Sequence, residues 1–182
     1  MADITRGYGS LQAAGVKVLQ GEVVAIDVAG RKLRLAGGGE LAWDRLVLSP
    51  GIDFMFDLVP GLTTAIDSGV VTHGWKAGPQ TVALRRQLES MRDGGVFAMA
   101  IPKVPYRCPP GPYERACMVA SYLKVAKPKS KLLVLDANPE IQSKKALFER
   151  AFKQHYDGLL AYRPNAELKE VAGTLAKLEP GM

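Results

Sequence analysis

The chemistry in this sequence centres on Cys108. It sits in a proline-rich loop, PKVPYRCPPGPYERA at positions 102 to 116. An apolar run from Gly95 to Ile101 that reads as a strand precedes the loop, and Ala116, Val119, Ala120 and Leu123 follow at helical spacing. A thiol just ahead of a helix N-terminus meets the positive end of the helix dipole, which favours the thiolate, the nucleophilic form. Pro109 and Pro110 hold the loop in one geometry. Glu114 falls in the first turn of the helix, where a carboxylate complements the same dipole.

A second apolar run, Lys131 to Asp136, completes the layout of a βαβ unit, in which ligands collect at the carboxyl ends of the strands and at the helix N-terminus. A nucleotide-binding version would place G-x-G-x-x-G at the turn. Prolines here remove the backbone N–H groups that such a cradle needs, which argues against a phosphate site. Asp136 stands where a ribose-binding acid would sit, but without the glycine loop it reads as a turn or helix-cap residue. Cys117 lies about two turns into the helix, roughly 10 Å from the loop at ~1.5 Å rise per residue, beyond the ~7 Å Cα limit for a disulfide. It reads as a small apolar residue on a packed helix face.

The elements that must position this loop follow from the rest of the chain. Residues 4 to 14 read as the tail of a helix closed by Gly15. Val16 with Val18, and then Val23 to Val28, read as two short strands. Arg31 to Leu35 and Glu40 to Trp43 flank three glycines as a hairpin. Arg45 to Ser49 is a further apolar run, halted at Pro50-Gly51, and it reads either as an ordinary buried strand or as one returning to a ligand. Residues 52 to 80 are rich in loops, which marks them as functional or connecting. They contain Trp75 and His73, a lone histidine that reads as a surface or turn residue. Val82, Leu84, Leu88 and Met91 mark an amphipathic helix after Pro79. Ser143 is placed to cap a helix running to about Tyr156, with Leu147, Phe148, Ala151 and Phe152 on its buried face and Lys144-Lys145 on a solvated one. Gly158 to Tyr162 reads as a third parallel strand, and Glu167 to Leu178 as a hairpin.

At 182 residues, 47% of them hydrophobic, the chain can build a core. Its net charge of +6 comes from 24 basic and 18 acidic residues without long basic runs, which argues against nucleic-acid binding. No window approaches the ~18 apolar residues of a membrane span. No secretory signal follows Met1. The two cysteines do not make a disulfide scaffold.

Four segments carry a resemblance. WDRLVLSPG at 43 to 51 resembles the segment that returns to the cofactor in two-dinucleotide-domain flavoproteins. Together LVLSPGIDF (46 to 54), THGWKAGPQT (72 to 81), PKVPYRCPPGPYERA and LLVLDANPEIQSKKALF (132 to 148) resemble the flavoprotein subunit of flavocytochrome c sulfide dehydrogenase, a relative of sulfide:quinone oxidoreductase. The resemblance implies an α/β fold: a partial FAD/NAD(P)-binding Rossmann-like architecture with a parallel βαβ unit and small antiparallel hairpins. It divides the chain into the end of a first FAD-binding domain (1–60), a crossover loop and helix (61–94), and a second Rossmann-like domain that does not use NAD (95–182).

In this family hydrosulfide attacks a redox-active disulfide to which the cysteine matching Cys108 contributes one sulfur. A persulfide forms, the freed thiolate adds to or donates toward FAD, and electrons leave singly to a c-type cytochrome subunit in the periplasm. By the same resemblance Glu114 is a candidate proton acceptor, and Val24, Ser49, Pro50, Gly51 and Trp75 are candidates for FAD contact. The family's N-terminal glycine fingerprint and second redox cysteine are not in this sequence. The expectation is therefore an internal fragment that alone binds FAD weakly or not at all and lacks sulfide oxidation. Two rival readings are an inactive α/β piece that pairs through exposed sheet edges and an NAD(P)H-dependent flavin reductase, which the proline loop disfavours.

Overall fold

A computed structural model describes residues 5–173 and 175–178, and the chain divides into two compact units, 1–54 and 55–182. In the first unit a short helix α1 (Gly9–Ala13) precedes three strands, β1 (Val23–Asp27), β2 (Lys32–Leu35) and β3 (Glu40–Ala42), paired antiparallel in the order β1-β2-β3. The predicted hairpin forms on its glycines: Gly38 takes φ 84°, and the Leu35 N–H donates to the Gly39 carbonyl at 2.8 Å. Lys32 and Glu40 pair across β2 and β3 at 2.9 Å, with both side chains about half exposed. Solvent screening leaves such a pair little stabilising effect.

Two predicted strands of this unit do not form. Residues 16–20 and 45–49 lie outside any strand, and Val47 and Leu48 are 86% and 61% exposed. A strand exists only where a neighbour completes its ladder, and no strand among the described residues pairs with either segment. Apolar composition alone therefore overstated the order here.

The second unit carries the core. Strands β4 (Val96–Ile101), β5 (Lys131–Asp136) and β6 (Leu160–Arg163) are parallel in the order β4-β5-β6, with Ile101 opposite Asp136 and Leu135 opposite Arg163. Helix α4 (Gly111–Ala126) links β4 to β5, and α5 (Lys145–His155) links β5 to β6. This is the expected Rossmann-like βαβαβ frame. Along α4, Ala116, Val119, Ala120 and Leu123 are buried at i, i+3, i+4 and i+7 and meet Leu132 and Val134 of β5. Phe148 and Phe152 do the same for α5, whereas Leu147, predicted to be buried with them, is exposed. The 3.6-residue period centres the buried face on 148 and 152 and rotates 147 off it.

Helix α5 also starts differently from expectation. Its N-cap is Lys144 at φ 51°, with no side-chain cap, so Ser143 does not serve. Lys145 instead pairs with Glu140 at 2.6 Å, on the solvated face predicted for it.

Helix α3 (Pro79–Ser90) begins as predicted after Gly78. The Thr81 hydroxyl donates to the Gly78 carbonyl at 2.7 Å. At its other end the buried Lys127 ammonium donates to the Glu89 carbonyl at 2.6 Å and to that of Met91, so the end of α4 caps the end of α3. A small helix α2 (Leu62–Asp67) packs on the hairpin of β7 (Leu168–Ala172) and β8 (Leu175–Leu178). There Gly61, at φ 77°, lets the backbone pass the Val171 carbonyl, which a Cβ would approach to 1.9 Å.

Candidate functional site

The carboxyl ends of β4 and β5 and the N-terminus of α4 meet around the loop that carries Cys108. Cys108 is exposed and takes φ 56°, the left-handed region that a side-chain-bearing residue seldom adopts. Its carbonyl accepts the Gly111 N–H at 2.9 Å, which closes the turn directly onto the first residue of α4. A Cβ on Gly111 would lie 3.0 Å and 3.1 Å from the Cη2 and Cζ3 of Trp75 and 3.3 Å from Cys108 Sγ. Glycine thus lets an indole edge and a thiol converge on the helix N-terminus. Trp75, expected as an FAD contact, has its ring at Gly111 next to the Cys108 turn, a meeting that sequence separation alone does not reveal.

The strip 72–75 is fastened to the same helix and to α3. Trp75 N–H donates to His73 Nδ1 at 3.4 Å, and His73 N–H donates to Gln80 Oε1 at 3.1 Å. A Cβ on Gly74 would lie 2.6 Å from a guanidinium nitrogen of Arg115 in α4. His73 stacks on Phe56, with ring centres 6.2 Å apart. Burial, and then the charge of Lys76, lower its pKa from the ordinary histidine range. His73 is therefore a packed turn residue.

Glu114 is exposed in the first turn of α4, its N–H donating to the Pro110 carbonyl at 3.0 Å. Its charge is felt at Cys117, where burial first and Glu114 second push the thiol pKa upward. Cys117 packs half-buried against the core, and both cysteines are free thiols. The remaining predicted residues, Val24, Ser49, Pro50 and Gly51, belong to the first unit and are exposed. Gly51 there takes φ 81°, with no atom near the position of a Cβ.

One group escaped sequence reasoning. Asp136, at the end of β5, is fully buried, with no cationic partner among the described residues. Its Oδ2 accepts the hydroxyls of Tyr113 (2.7 Å) and Tyr162 (2.8 Å), and its Oδ1 accepts the Asn138 N–H (2.9 Å) and Nδ2 (2.7 Å). Such bonds to a charged acceptor are the strong ones. The bond to Asn138 N–H is the turn role expected of Asp136; the tyrosines are the addition. Asn138 is also fully buried, and its amide spans the start of the cysteine loop: Nδ2 donates to the Pro102 carbonyl at 3.0 Å and Oδ1 accepts the Val104 N–H at 3.0 Å. Burial above all, with Asp136 adding to it, raises the pKa of Tyr113 and of Tyr162 far above the usual tyrosine range. The buried Tyr106 hydroxyl lies beside that of Tyr113 without a hydrogen bond of ordinary geometry. The only sequence signal was an acid ending an apolar strand two residues before an asparagine.

Among the described residues no cluster of three potential metal ligands occurs, and no helix is long and apolar enough to cross a membrane.

Three solved structures share the fold. The sulfide:quinone oxidoreductase of Aquifex aeolicus superposes with a TM-score of 0.68 at 19% identity, covering 89% of this chain and 38% of that one. A ferredoxin reductase from Rhodopseudomonas palustris gives 0.66 at 18% identity, with 94% and 39% covered. The covalent putidaredoxin reductase–putidaredoxin complex gives 0.66 at 15% identity, with 97% and 41% covered. The chain thus spans about two fifths of the length of the proteins it matches. Residues 81–179, more than half of the chain and the whole frame around Cys108, match the model of the central region of the sulfide dehydrogenase (flavocytochrome c) flavoprotein chain. The chain therefore belongs to the family of flavocytochrome c sulfide dehydrogenase flavoprotein chains.

Proposed function

We propose that this chain serves an FAD-dependent sulfide dehydrogenase in which Cys108 is the sulfur that reacts. The observation that carries the reading is Cys108 itself: an exposed thiol in a left-handed turn closed onto the N-terminus of a 16-residue helix, inside the segment that matches the family. In this reading Cys108 forms half of a disulfide with a cysteine other than Cys117. Hydrosulfide attacks one sulfur of that disulfide, so the S–S bond breaks, a persulfide bond forms, and the other sulfur leaves as thiolate. The Trp75 indole, beside the thiol, limits the directions from which water and oxidants reach it. Glu114, one turn away and solvated, takes the proton that hydrosulfide gives up, and passes it to solvent.

The first unit offers a fit for FAD. Residues 45–51 keep their peptide groups outside any ladder, and Gly51 leaves open space where a side chain would stand, so backbone can approach a flat ligand closely. Val24, Ser49, Pro50 and Gly51 are its candidate contacts. Bound FAD would supply two-electron acceptance with onward one-electron transfer. The onward acceptor in this reading is a c-type cytochrome subunit, in the periplasm.

Asp136 weighs against the NAD(P)H-reductase reading. An acid at the end of the second strand could hold a ribose only if its oxygens were free and reachable, and here both are buried and occupied.

Anaerobic addition of sulfide to a flavin-loaded assembly that contains this chain together with the polypeptide supplying the partner cysteine, followed by visible absorbance, tests the proposal. Bleaching in the wild type and its loss in Cys108→Ser are expected, together with one added sulfur atom on the Cys108 peptide by mass spectrometry. Bleaching of C108S at the wild-type rate would refute it.

A further inference from the structure

The loop carrying Cys108 is held at both ends by one carboxylate. Residues 102–104, where the loop leaves β4, are bonded on both sides by the Asn138 amide, which in turn donates to Asp136 Oδ1. Tyr113, where the loop has entered α4, donates to Asp136 Oδ2, and its hydroxyl accepts the Gln142 N–H at 3.1 Å. Between these two anchors lie the left-handed Cys108 and the Gly111 contact with Trp75. The segment carries four prolines, Pro105, Pro109, Pro110 and Pro112, that cannot donate backbone bonds, and Cys108 and its neighbours 102–105 and 107–109 are exposed. Within 102–109 only Tyr106 packs against the core, so the thiol is fixed by that one ring together with the anchors at the ends of the loop.

We infer that Asp136 is a positioning residue for Cys108: through Asn138 at one end and Tyr113 at the other, its buried carboxylate sets the loop geometry that presents the thiol at the helix N-terminus. The inference rests on the sulfide reading only for the purpose of the thiol; the geometry it concerns is independent of the substrate. An acid at the end of β5 is thereby turned inward, away from ligands, to act on a side chain about 28 positions earlier in the sequence.

Tyr162 makes the discriminating control. Its hydroxyl donates to the same Oδ2, but from β6, and among the described residues it makes no hydrogen bond to the cysteine loop. The single variants Tyr113→Phe, Asn138→Ala and Tyr162→Phe each remove bonds within one network. In full-chain protein two readouts are taken: hydrogen–deuterium exchange of peptides spanning 103–112, and the pH profile of iodoacetamide alkylation at Cys108, resolved from Cys117 by peptide mass. Y113F and N138A are expected to speed exchange of the loop about tenfold or more, the effect of losing one charge-assisted hydrogen bond. Both should also shift the midpoint of the Cys108 profile. Y162F should lower thermal stability while leaving the loop and the profile at wild-type values. Equal effects from all three variants would reduce Asp136 to general stability and overturn the inference, as would an unchanged Cys108 in folded Y113F and N138A. Should Y113F fail to fold, N138A against Y162F decides. Iodoacetamide requires no sulfide chemistry, so a failure of the proposed reaction leaves this result standing.

Discussion

Replacing Gly111 with alanine sets two opposed effects against each other at the site. Alanine favours a helix over glycine by ~0.8–1 kcal/mol in helix interiors, and position 111, the first residue of α4, would receive part of that gain. Against it, the new methyl would sit 3.0 and 3.1 Å from two carbons of the Trp75 ring and 3.3 Å from Cys108 Sγ, each contact a few tenths of an ångström too short. Tightly packed sites resist such insertion by about 1–3 kcal/mol, but Trp75 is 37% exposed on a loop and can swing away at the lower end of that range. The two effects nearly cancel in stability, within roughly 1 kcal/mol. They do not cancel locally, because the indole must leave the thiol. The assay therefore pairs thermal unfolding with Trp75 emission in a Trp43→Phe background and with the alkylation rate of Cys108. We expect an unfolding temperature near that of the parent, red-shifted emission as the ring becomes more hydrated, and faster alkylation. A variant stabilised by the full helix gain, with unchanged emission and unchanged thiol reactivity, would refute the close approach on which the site is built.

Elsewhere the consequences are larger and simpler. Gly61→Ala places a Cβ 1.9 Å from a backbone oxygen at φ 77°, and with the left-handed penalty of ~1–2 kcal/mol per residue and a displaced backbone contact it should cost about 2–4 kcal/mol in denaturant unfolding. Lys127→Met keeps the aliphatic stem and removes the ammonium from the Glu89 and Met91 carbonyls, so a loss of about 1–3 kcal/mol is expected in the same assay. Tyr113 and Tyr162 have folded pKa values raised from 10.0 by burial first. Their stabilisation is thus complete below pH 10 and is lost as pH rises above it, so the wild type should weaken in alkaline urea titrations more steeply than Tyr113→Phe/Tyr162→Phe.

Much of the second unit could be read from sequence because its signals are local. The 3.6-residue spacing of Ala116, Val119, Ala120 and Leu123 and the apolar runs on either side of α4 state the βαβ unit in a single stretch of chain. Val47 and Leu48 show the converse: their run has strand composition, yet a strand also needs a neighbour, and composition carries no information about one. The cysteine loop was legible as a site from residue type, a thiol among prolines before a helix. Its partners were not. Trp75 reaches Gly111 and Tyr162 reaches Asp136 across tens of residues, and such contacts are set by the fold rather than by any periodicity. Asp136 illustrates the limit most clearly, since its place in the sequence suggested a turn or a helix cap, while its two tyrosine donors hold it in the core.

That inward turn of Asp136 leads to a prediction about what this frame has ceased to bind. A dinucleotide site at the end of β5 needs a reachable carboxylate and, after β4, a run of N–H groups around a pyrophosphate. Here the carboxylate accepts bonds from Tyr113, Tyr162 and Asn138 at 2.7–2.9 Å, and the turn after β4 contains Pro102, Pro105, Pro109 and Pro110. To bind a ribose the acid would have to abandon those partners, leaving buried hydroxyls unpaired at about 1–3 kcal/mol each. That penalty alone would weaken binding roughly 10- to 100-fold per group. Titrating NADH or NADPH into the protein by fluorescence or calorimetry should therefore give no saturable signal up to millimolar concentration. Saturable binding that disappears in Asp136→Asn would mean that the carboxylate can swing out to a ribose, and the account of Asp136 as a sealed clamp beneath the cysteine loop would have to be given up.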